Sequence, residues 1–305
     1  MVSDTRLKTV TRTQGNNVAL KDGTVTPDGF TLDFEEVDPL IHAFRRMVRG
    51  LEYDVCELAI TTYLCAKEHG KPFTALPVFL VRGFHHGATV APPGVAPKDL
   101  EGRRVGVNRG YTVTTGVWAR GILAREHGVD LDEVTWVLSG DEHVAEYVPP
   151  PNVVSLDGDG DLAELAVAGE LAAAIGVERQ GLVPLVPDAE AAGYAALRER
   201  GHYPINHLVV VRDELLAEHP ELATALFAAF EQAKDRYVER LRADAIEQPT
   251  AVDRMHRRVM EITGGDPLPY GVEPNRRVLE ELIDQALAQR ILRERPNLDA
   301  LFAGV

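Results

Sequence analysis

Cysteine is scarce in this chain of 305 residues, which contains only Cys56 and Cys65. Two cysteines do not make a disulfide framework, and no Cys-x-x-Cys pair is present to indicate a zinc or redox site. We therefore expect both thiols to be reduced, with Cys65 on the apolar side of a helix.

Long apolar runs are also absent. No stretch approaches the ~20 apolar residues that a membrane-spanning helix requires. The N-terminal sequence MVSDTRLKTVTRTQGNN contains no apolar core of a signal peptide. These two absences predict a cytoplasmic protein without a membrane partner.

Basic residues are fewer than acidic ones: the chain has 32 lysines and arginines and 47 aspartates and glutamates, so its formal net charge is −15. Such a balance opposes general binding to nucleic acid or to an anionic membrane. A small anionic ligand would need a local basic pocket that acts against the overall field. The sequence therefore predicts no nucleic-acid partner and leaves a small carboxylate as the expected ligand.

What the chain does contain is an alternation of strands and helices, within a composition that is 45% hydrophobic. Its length favours two lobes over one core. The pattern predicts an open, mostly parallel α/β sheet, in which ligands bind beyond the carboxyl ends of strands. In the first part of the chain the predicted strands are Leu7–Thr11, Thr31–Glu36, Tyr53–Leu58 and Thr74–Val81, with helices from Pro39 to Val48 and from Ile60 to Lys67.

Two segments mark the predicted lobe boundaries. The run APPGVAPK (Ala91–Lys98) is typical of a connection, and the strand YPINHLVVV (Tyr203–Val211) returns the chain to the first lobe. We therefore expect residues 1–97 and 208–305 to form lobe 1, with the C-terminal helices, and residues 98–207 to form lobe 2.

The stretch Arg103–Gly121 is the best candidate for a ligand contact. It predicts a short strand, a turn at Asn108–Gly110, and a helix start rich in threonine, including Thr114 and Thr115. Backbone N–H groups and the helix dipole at such a junction favour a carboxylate. Arg109 could donate a bidentate pair of hydrogen bonds to this carboxylate, and Tyr111 could stack on the ligand or donate a hydrogen bond to it. The alternative is that these are ordinary cap residues and a solvated arginine.

An acidic run, DGDGD at residues 157–161, raises a calcium site as an alternative. It lacks the ligand spacing of an EF-hand loop. We expect a solvated turn in which Asp161 caps the helix that follows.

Four segments of the chain form a recognisable set: Glu57–Leu64, PVFLVRGFHH (Pro77–His86), DLEGRRVGV with TTGVWARGIL, and YPINHLVVVRDEL. Together they resemble the 4,5-dihydroxyphthalate decarboxylase family. The resemblance implies a type II periplasmic-binding-protein-like fold, in which two α/β lobes are joined by two crossovers and hold the ligand in a cleft. It also implies decarboxylation of a hydroxylated aromatic carboxylate.

The chain departs from the family pattern at two places. The family has Arg-His-Ser where this chain has His85-His86-Gly87, and a Glu-Tyr-Gln-like loop where this chain has Asn108–Tyr111. The second place lines the predicted site. The substrate is therefore left open between a 4,5-dihydroxyphthalate-like molecule and another aromatic or small carboxylate.

Decarboxylation of this kind without a cofactor needs a general acid, a base on the phenol and cationic groups on the carboxylate. We expect His86 to be the acid, and Glu57 or His207 to take the phenol proton. A buried, hydrogen-bonded His207 is an equally weighted alternative. The remaining predicted substrate contacts are Arg82, His85, Arg109, Tyr111, Thr114 and Thr115.

No metal and no cofactor are predicted. His85 and His86 could join Glu57 or His207 around a metal ion, but neighbouring residues on a strand point to opposite faces. Two other functions stay open: a substrate-binding protein of ABC-transporter type, and a cytoplasmic carboxylate binder or biosynthetic enzyme without decarboxylase activity. A homo-oligomer is left open as well.

Overall fold

The computed structural model describes residues 5–158, 160–178 and 180–305. It divides into two compact units. Unit 1 contains the described residues up to Arg82, Ile205–Leu279 and Pro296–Val305. Unit 2 contains the described residues of Gly83–Pro204 and Glu280–Arg295.

Strands and helices alternate along the first half of the chain, and helices dominate after the last strand. In chain order the strands are β1 Thr5–Val10, β2 Phe30–Phe34, β3 Val55–Ala59, β4 Phe73–Arg82, β5 Thr89–Ala91, β6 Arg104–Val107, β7 Thr135–Leu138, β8 Val153–Ser155, β9 Ala173–Ile175, β10 Val183–Pro184 and β11 Ile205–Arg212. The helices are α1 Val18–Lys21, α2 Ile41–Gly50, α3 Ile60–Glu68, α4 Thr114–His127, α5 Leu162–Val167, α6 Ala189–Arg200, α7 Asp213–Glu218, α8 Leu222–Arg242, α9 Ala251–Thr263 and α10 Arg276–Ala288.

Unit 1 is built on a five-stranded sheet in the order β2-β1-β3-β11-β4. Strands β1, β2 and β3 are parallel, whereas β11 runs antiparallel to both β3 and β4. Every residue of β3 is buried, as expected for a strand that is covered on both faces. Strand β3 passes directly into α3, so its side chains are held at the junction of strand and helix.

Unit 2 is built on a six-stranded sheet in the order β10-β5-β9-β6-β7-β8. Strands β9, β6, β7 and β8 are parallel, and β5 runs antiparallel to both of its neighbours, β9 and β10. In each of these sheets one strand, β11 or β5, therefore runs against the others, in agreement with the mostly parallel sheet that the sequence predicted. The alternation of strands and helices predicted the shared direction, but it did not predict the single opposing strand.

The units assign three segments differently from the lobes predicted by composition. Residues 205–207, at the start of β11, belong to unit 1. Residues 83–97 belong to unit 2, because β5 pairs there with β9 and β10. Residues 280–295 also belong to unit 2, where Gln289 bonds the buried Arg120 of α4. The Pro-rich run looked like a connection because of its composition, but pairing and packing decide which unit holds it.

The acidic run at residues 157–161 contains a helix cap, as predicted. The Asp161 carboxylate accepts hydrogen bonds from the backbone N–H groups of Ala163 at 2.8 Å and Glu164 at 2.9 Å. Asp159, the middle residue of the run, lies outside the described residues.

Neither Cys56 nor Cys65 is in a disulfide, both are buried, and Cys65 is among the buried residues of α3. Among the described residues, no helix combines the length and the apolar character needed to cross a lipid bilayer.

Candidate active site

Glu57 and His207 form a hydrogen-bonded pair in unit 1. They lie on the neighbouring antiparallel strands β3 and β11, and the distance from Glu57 Oε1 to His207 Nδ1 is 2.6 Å. The Glu57 side chain is fully buried, whereas the His207 side chain is 18% exposed. Because an ionised carboxylate only accepts, His207 Nδ1 carries the proton that is donated to Glu57. The other ring nitrogen, Nε2, makes no hydrogen bond with the described residues.

Arg12 completes this pair from the loop after β1. Its backbone N–H donates to Glu57 Oε2 at 2.9 Å, so both carboxylate oxygens are engaged. Its guanidinium lies 3.7 Å from Glu57 Oε1 and 3.4 Å from His207 Nδ1. Since Nδ1 already donates to Glu57, the guanidinium acts as a counter-ion of the carboxylate rather than as a donor to the ring. Glu57 is therefore a residue that orients His207.

The position of His207 depends on an irregular strand. The pairing of β11 with β4 shifts register on both sides of His207. Such bulges re-aim a side chain and are common beside active sites. The ring of Phe44, from α2, packs edge-on against the imidazole with 5.2 Å between centroids. Backbone pairing, the carboxylate and this ring hold the imidazole in one orientation.

Arg82 ends β4 in the same unit and is 6% exposed. Its Nη1 donates to Asn275 Oδ1 at 2.7 Å. Arg82 and Arg12 both line a cavity of about 570 Å³ in unit 1, together with polar groups of the loop after β1 and residues of α8 and α9. The two arginines place positive charge in a cavity of a protein whose net charge is −15.

In unit 2, the predicted anion position before α4 holds a carboxylate of the protein itself. Glu142 accepts hydrogen bonds from Tyr111 N, from Thr112 N at 3.2 Å and from Thr112 Oγ1 at 2.6 Å. A Cβ atom at Gly110 would lie 2.6 Å from Glu142 Oε2, so glycine leaves room for this contact. At these two N–H groups the carboxylate is therefore supplied by Glu142 and not by a ligand.

The other predicted residues of this stretch differ in exposure. Tyr111 is 3% exposed and stacks on the buried Arg120 guanidinium, 3.8 Å from the ring centroid. Thr114 is buried and Thr115 is partly buried at the start of α4. Arg109 is exposed in a left-handed backbone conformation, with φ of 72°. Of the four, Arg109 offers the most accessible side chain.

His85 and His86 follow β4 in a loop of unit 2, not on a strand, and both are buried. His86 Nε2 lies 3.2 Å from Glu126 Oε1, and Arg200 donates to the same carboxylate. The His86 ring packs edge-on against His202, which is in turn bonded to Glu281. His86, the predicted acid, therefore belongs to a buried network of charges in unit 2.

The ionisation of Glu126 in this network makes the stability of the folded protein depend on pH. Burial raises the pKa of Glu126, but the His86 hydrogen bond and the charges of His86 and Arg200 outweigh it and lower the pKa to about 2. Because this value is below the ordinary 4.5, the stabilisation is complete above pH 4.5 and is lost as the pH falls towards 2.

We therefore expect Glu126→Gln to lower the free energy of unfolding at pH 7 by about 1 kcal/mol, since partial solvent screening weakens both contacts. The difference from the wild type should shrink between about pH 4.5 and pH 2. Urea unfolding across this range measures it, with the exposed Glu190→Gln of the same unit as control. A difference that does not change with pH would contradict the proposed cause.

The structure thus brings Glu57 and His207 together and places Arg82 in the same unit. The predicted residues of unit 2 form separate groups. Sequence reasoning missed Arg12 and Glu126, which carry no motif. Among the described residues, no group of three or more histidine, cysteine, aspartate or glutamate side chains has the geometry of a metal site.

Comparison with known proteins identifies the family. A 4,5-dihydroxyphthalate decarboxylase of Comamonas testosteroni is 30% identical over an alignment 305 positions long, which covers 93% of this chain and 92% of that protein. The chain belongs to the 4,5-dihydroxyphthalate decarboxylase family. A second member, from Pseudomonas putida, is 34% identical over 176 residues, 53% of this chain and 67% of that protein. No protein-family model matches the chain.

Solved structures confirm the fold of this decarboxylase-family chain. The alkanesulfonate-binding protein SsuA of Xanthomonas axonopodis pv. citri superposes with a TM-score of 0.51 at 15% identity, over 99% of this chain and 98% of that chain. The aliphatic sulphonate-binding protein of Escherichia coli gives 0.53 at 9% identity, over 98% of each chain. A Candida albicans protein with the generic periplasmic-binding-protein fold gives 0.54 at 13% identity, over 96% of this chain and 92% of that chain. The chain has the periplasmic-binding-protein fold, as the sequence predicted.

Proposed function

We propose that the protein is a cofactor-independent carboxy-lyase that releases CO₂ from a hydroxylated aromatic carboxylate, with 4,5-dihydroxyphthalate as the first candidate substrate. Membership of the decarboxylase family supports the reaction class. The observation that carries the assignment of residues is the pair of Glu57 and His207, joined at 2.6 Å, with Nε2 of the imidazole left for a substrate.

In the proposed reaction, a hydroxyl para to the leaving carboxylate gives its proton to solvent and takes one back after the reaction, and in between the phenolate supplies electron density to the ring carbon that bears that carboxylate. His207, as an imidazolium with a proton on each ring nitrogen, delivers the Nε2 proton to this carbon. The carbon–carbon bond then breaks, its electron pair restores the aromatic ring, and CO₂ leaves. The imidazole regains its proton from solvent. One proton is consumed at carbon for each CO₂ released, and no oxidant or reductant is needed.

Glu57 assists by position and charge. Its carboxylate holds Nδ1 and stabilises the positive charge of the imidazolium, while Arg12 N–H fixes the second oxygen. Arg12 and Arg82 provide guanidinium groups for a retained carboxylate. His207 replaces His86 as the proposed proton donor, because His86 is 1% exposed and its Nε2 faces Glu126.

The test is product analysis with the full chain. We expect CO₂ and 3,4-dihydroxybenzoate in equal amounts from 4,5-dihydroxyphthalate, no CO₂ from unhydroxylated phthalate, and unchanged turnover in EDTA. Binding of these ligands without release of CO₂ from the hydroxylated one would instead support a binding protein of the same fold.

A further inference from the structure

The cavity in unit 1 is lined by a cluster of titratable side chains, formed by Tyr237 of α8 with Asp253 and His256 of α9. The Tyr237 hydroxyl lies 2.5 Å from Asp253 Oδ1 and 3.0 Å from His256 Nδ1. Asp253 Oδ2 accepts from the N–H of Thr250 at 2.8 Å and from its hydroxyl at 2.7 Å. The cluster is thus anchored to the capping box that begins α9.

The direction of these hydrogen bonds fixes the tautomer of His256. The Tyr237 hydroxyl has one proton, and the short contact to an ionised carboxylate takes it. His256 Nδ1 must then donate to the phenolic oxygen, so that Nδ1 carries the ring proton. The opposite nitrogen, Nε2, is left as an acceptor and makes no hydrogen bond with the described residues.

The ring is also kept neutral. Burial lowers the pKa of His256 to about 4, against the raising effect of Asp253 and with a further lowering by the charge of Arg82. At neutral pH His256 therefore offers a lone pair and not a second donor. His256 is 4% exposed, and it lines the cavity.

The cavity is thus selective in two ways. Arg12, Arg82 and Arg240 bring positive charge to its walls, and the one carboxylate among its lining residues, Asp253, is already bonded. These arginines favour an anion. A carboxylate, however, cannot satisfy an acceptor nitrogen, whereas a hydroxyl can donate to it. The complementary ligand carries carboxylate and hydroxyl groups on one small molecule.

We propose that His256 Nε2 accepts a hydrogen bond from a ring hydroxyl of the ligand, and that His256 determines the preference for hydroxylated over unhydroxylated aromatic acids. The inference rests on the proposed function for the class of ligand. It adds a specificity residue that belongs to α9, which neither the sequence motifs nor the Glu57–His207 pair includes.

The test compares equilibrium binding of two ligands that differ only in their hydroxyl groups, 4,5-dihydroxyphthalate and phthalate. Calorimetry is done in a His207→Asn background, and the recovered ligand is checked by chromatography so that turnover does not contribute. We expect His256→Phe to weaken binding of the dihydroxylated ligand about tenfold or more, because the ligand hydroxyl would then be buried without a hydrogen-bond acceptor. The dissociation constant for phthalate should change less than about twofold.

Two further variants are controls that separate an effect on the ligand site from an effect on folding. His219→Asn is the matched control, since His219 is another unit 1 histidine packed edge-on against an aromatic ring, Phe30, and does not line the cavity. It should leave both affinities unchanged. Ile246→Trp, which fills the cavity from its wall, should weaken both ligands together. Thermal unfolding of each variant confirms that the fold is retained.

The outcomes separate this inference from the proposed function. A preference for the hydroxylated ligand that survives His256→Phe, or two affinities that fall equally, would overturn the role of His256 even if CO₂ is released. Unchanged binding in Ile246→Trp would show that the ligand does not bind in this cavity. The expected loss of preference, in a protein that releases no CO₂, would keep His256 as a hydroxyl-binding residue and end the decarboxylase proposal.

Discussion

Replacing His207 with asparagine is expected to lower kcat for CO₂ release by at least about 100-fold, because a general acid typically contributes 10²–10⁴-fold. The proton at carbon is transferred only in the transition state. Both kcat and kcat/KM should therefore fall by similar factors, while KM changes little. Steady-state release of CO₂ from 4,5-dihydroxyphthalate measures the effect.

Two variants make this prediction specific. His219→Asn changes a histidine elsewhere in unit 1, and it should retain wild-type kcat. His86→Asn tests the acid that the sequence predicted. If His86→Asn lost kcat while remaining folded and His207→Asn did not, the role of proton donor would return to His86.

The second large effect is expected for Glu57→Gln, a change that removes charge and preserves shape. Glu57 accepts from two donors at once, His207 Nδ1 and Arg12 N. A glutamine has one acceptor oxygen, so it can satisfy only one of them, and its NH₂ group would face the other. If that group faces Nδ1, the neutral imidazole must place its proton on Nε2. The imidazolium also loses its neighbouring negative charge.

We expect Glu57→Gln to lower kcat by about 10²-fold with KM within about twofold, since a triad-type carboxylate acts through the orientation and charge of its histidine. Glu57→Asp, which restores the charge on a shorter side chain, should recover part of the loss. Nitrogen-15 NMR of the imidazole should report an Nδ1-protonated ring in the wild type and a changed tautomer in the glutamine variant.

Glu35→Gln provides the matched control. Glu35 is another carboxylate of unit 1, and it is held by three partners, Lys8, Arg46 and Tyr53. Its substitution should alter stability without moving kcat or the tautomer. A Glu57→Gln enzyme with wild-type kcat and an unchanged ring signal would exclude the positioning role.

Local patterns predicted much of the framework. The apolar run of β3 and its passage into α3 follow from residues that are adjacent in the chain, and so does the cap at Asp161. The strand-to-helix junction before α4 was also recognised from its glycine and threonines. These features depend on contacts within a few residues, where the chemistry of each side chain decides the outcome.

The pairs at the candidate site could not be predicted in this way. Glu57 and His207 are 150 residues apart, and their contact exists because β11 pairs antiparallel with β3, which places Val209 opposite Glu57 and His207 two residues before it. Nothing in the sequence distinguishes Arg12 from the other arginines. Its importance follows from the loop after β1, which places its backbone N–H against Glu57. The same is true of Glu142, whose carboxylate reaches Tyr111 across 31 residues.

By itself the sequence determined the α/β class, the family and the expected anionic ligand, because alternating patterns, charge balance and four matching segments are properties of the linear chain. Only the tertiary structure gave a reason to propose His207 rather than His86 as the proton donor. His86 and His207 both follow or lie within strands and are chemically the same side chain. One is buried against Glu126 and Arg200, and the other keeps Nε2 unbonded beside a carboxylate on Nδ1. That difference arises from hydrogen-bond partners distant in the sequence, which only the folded chain brings into contact.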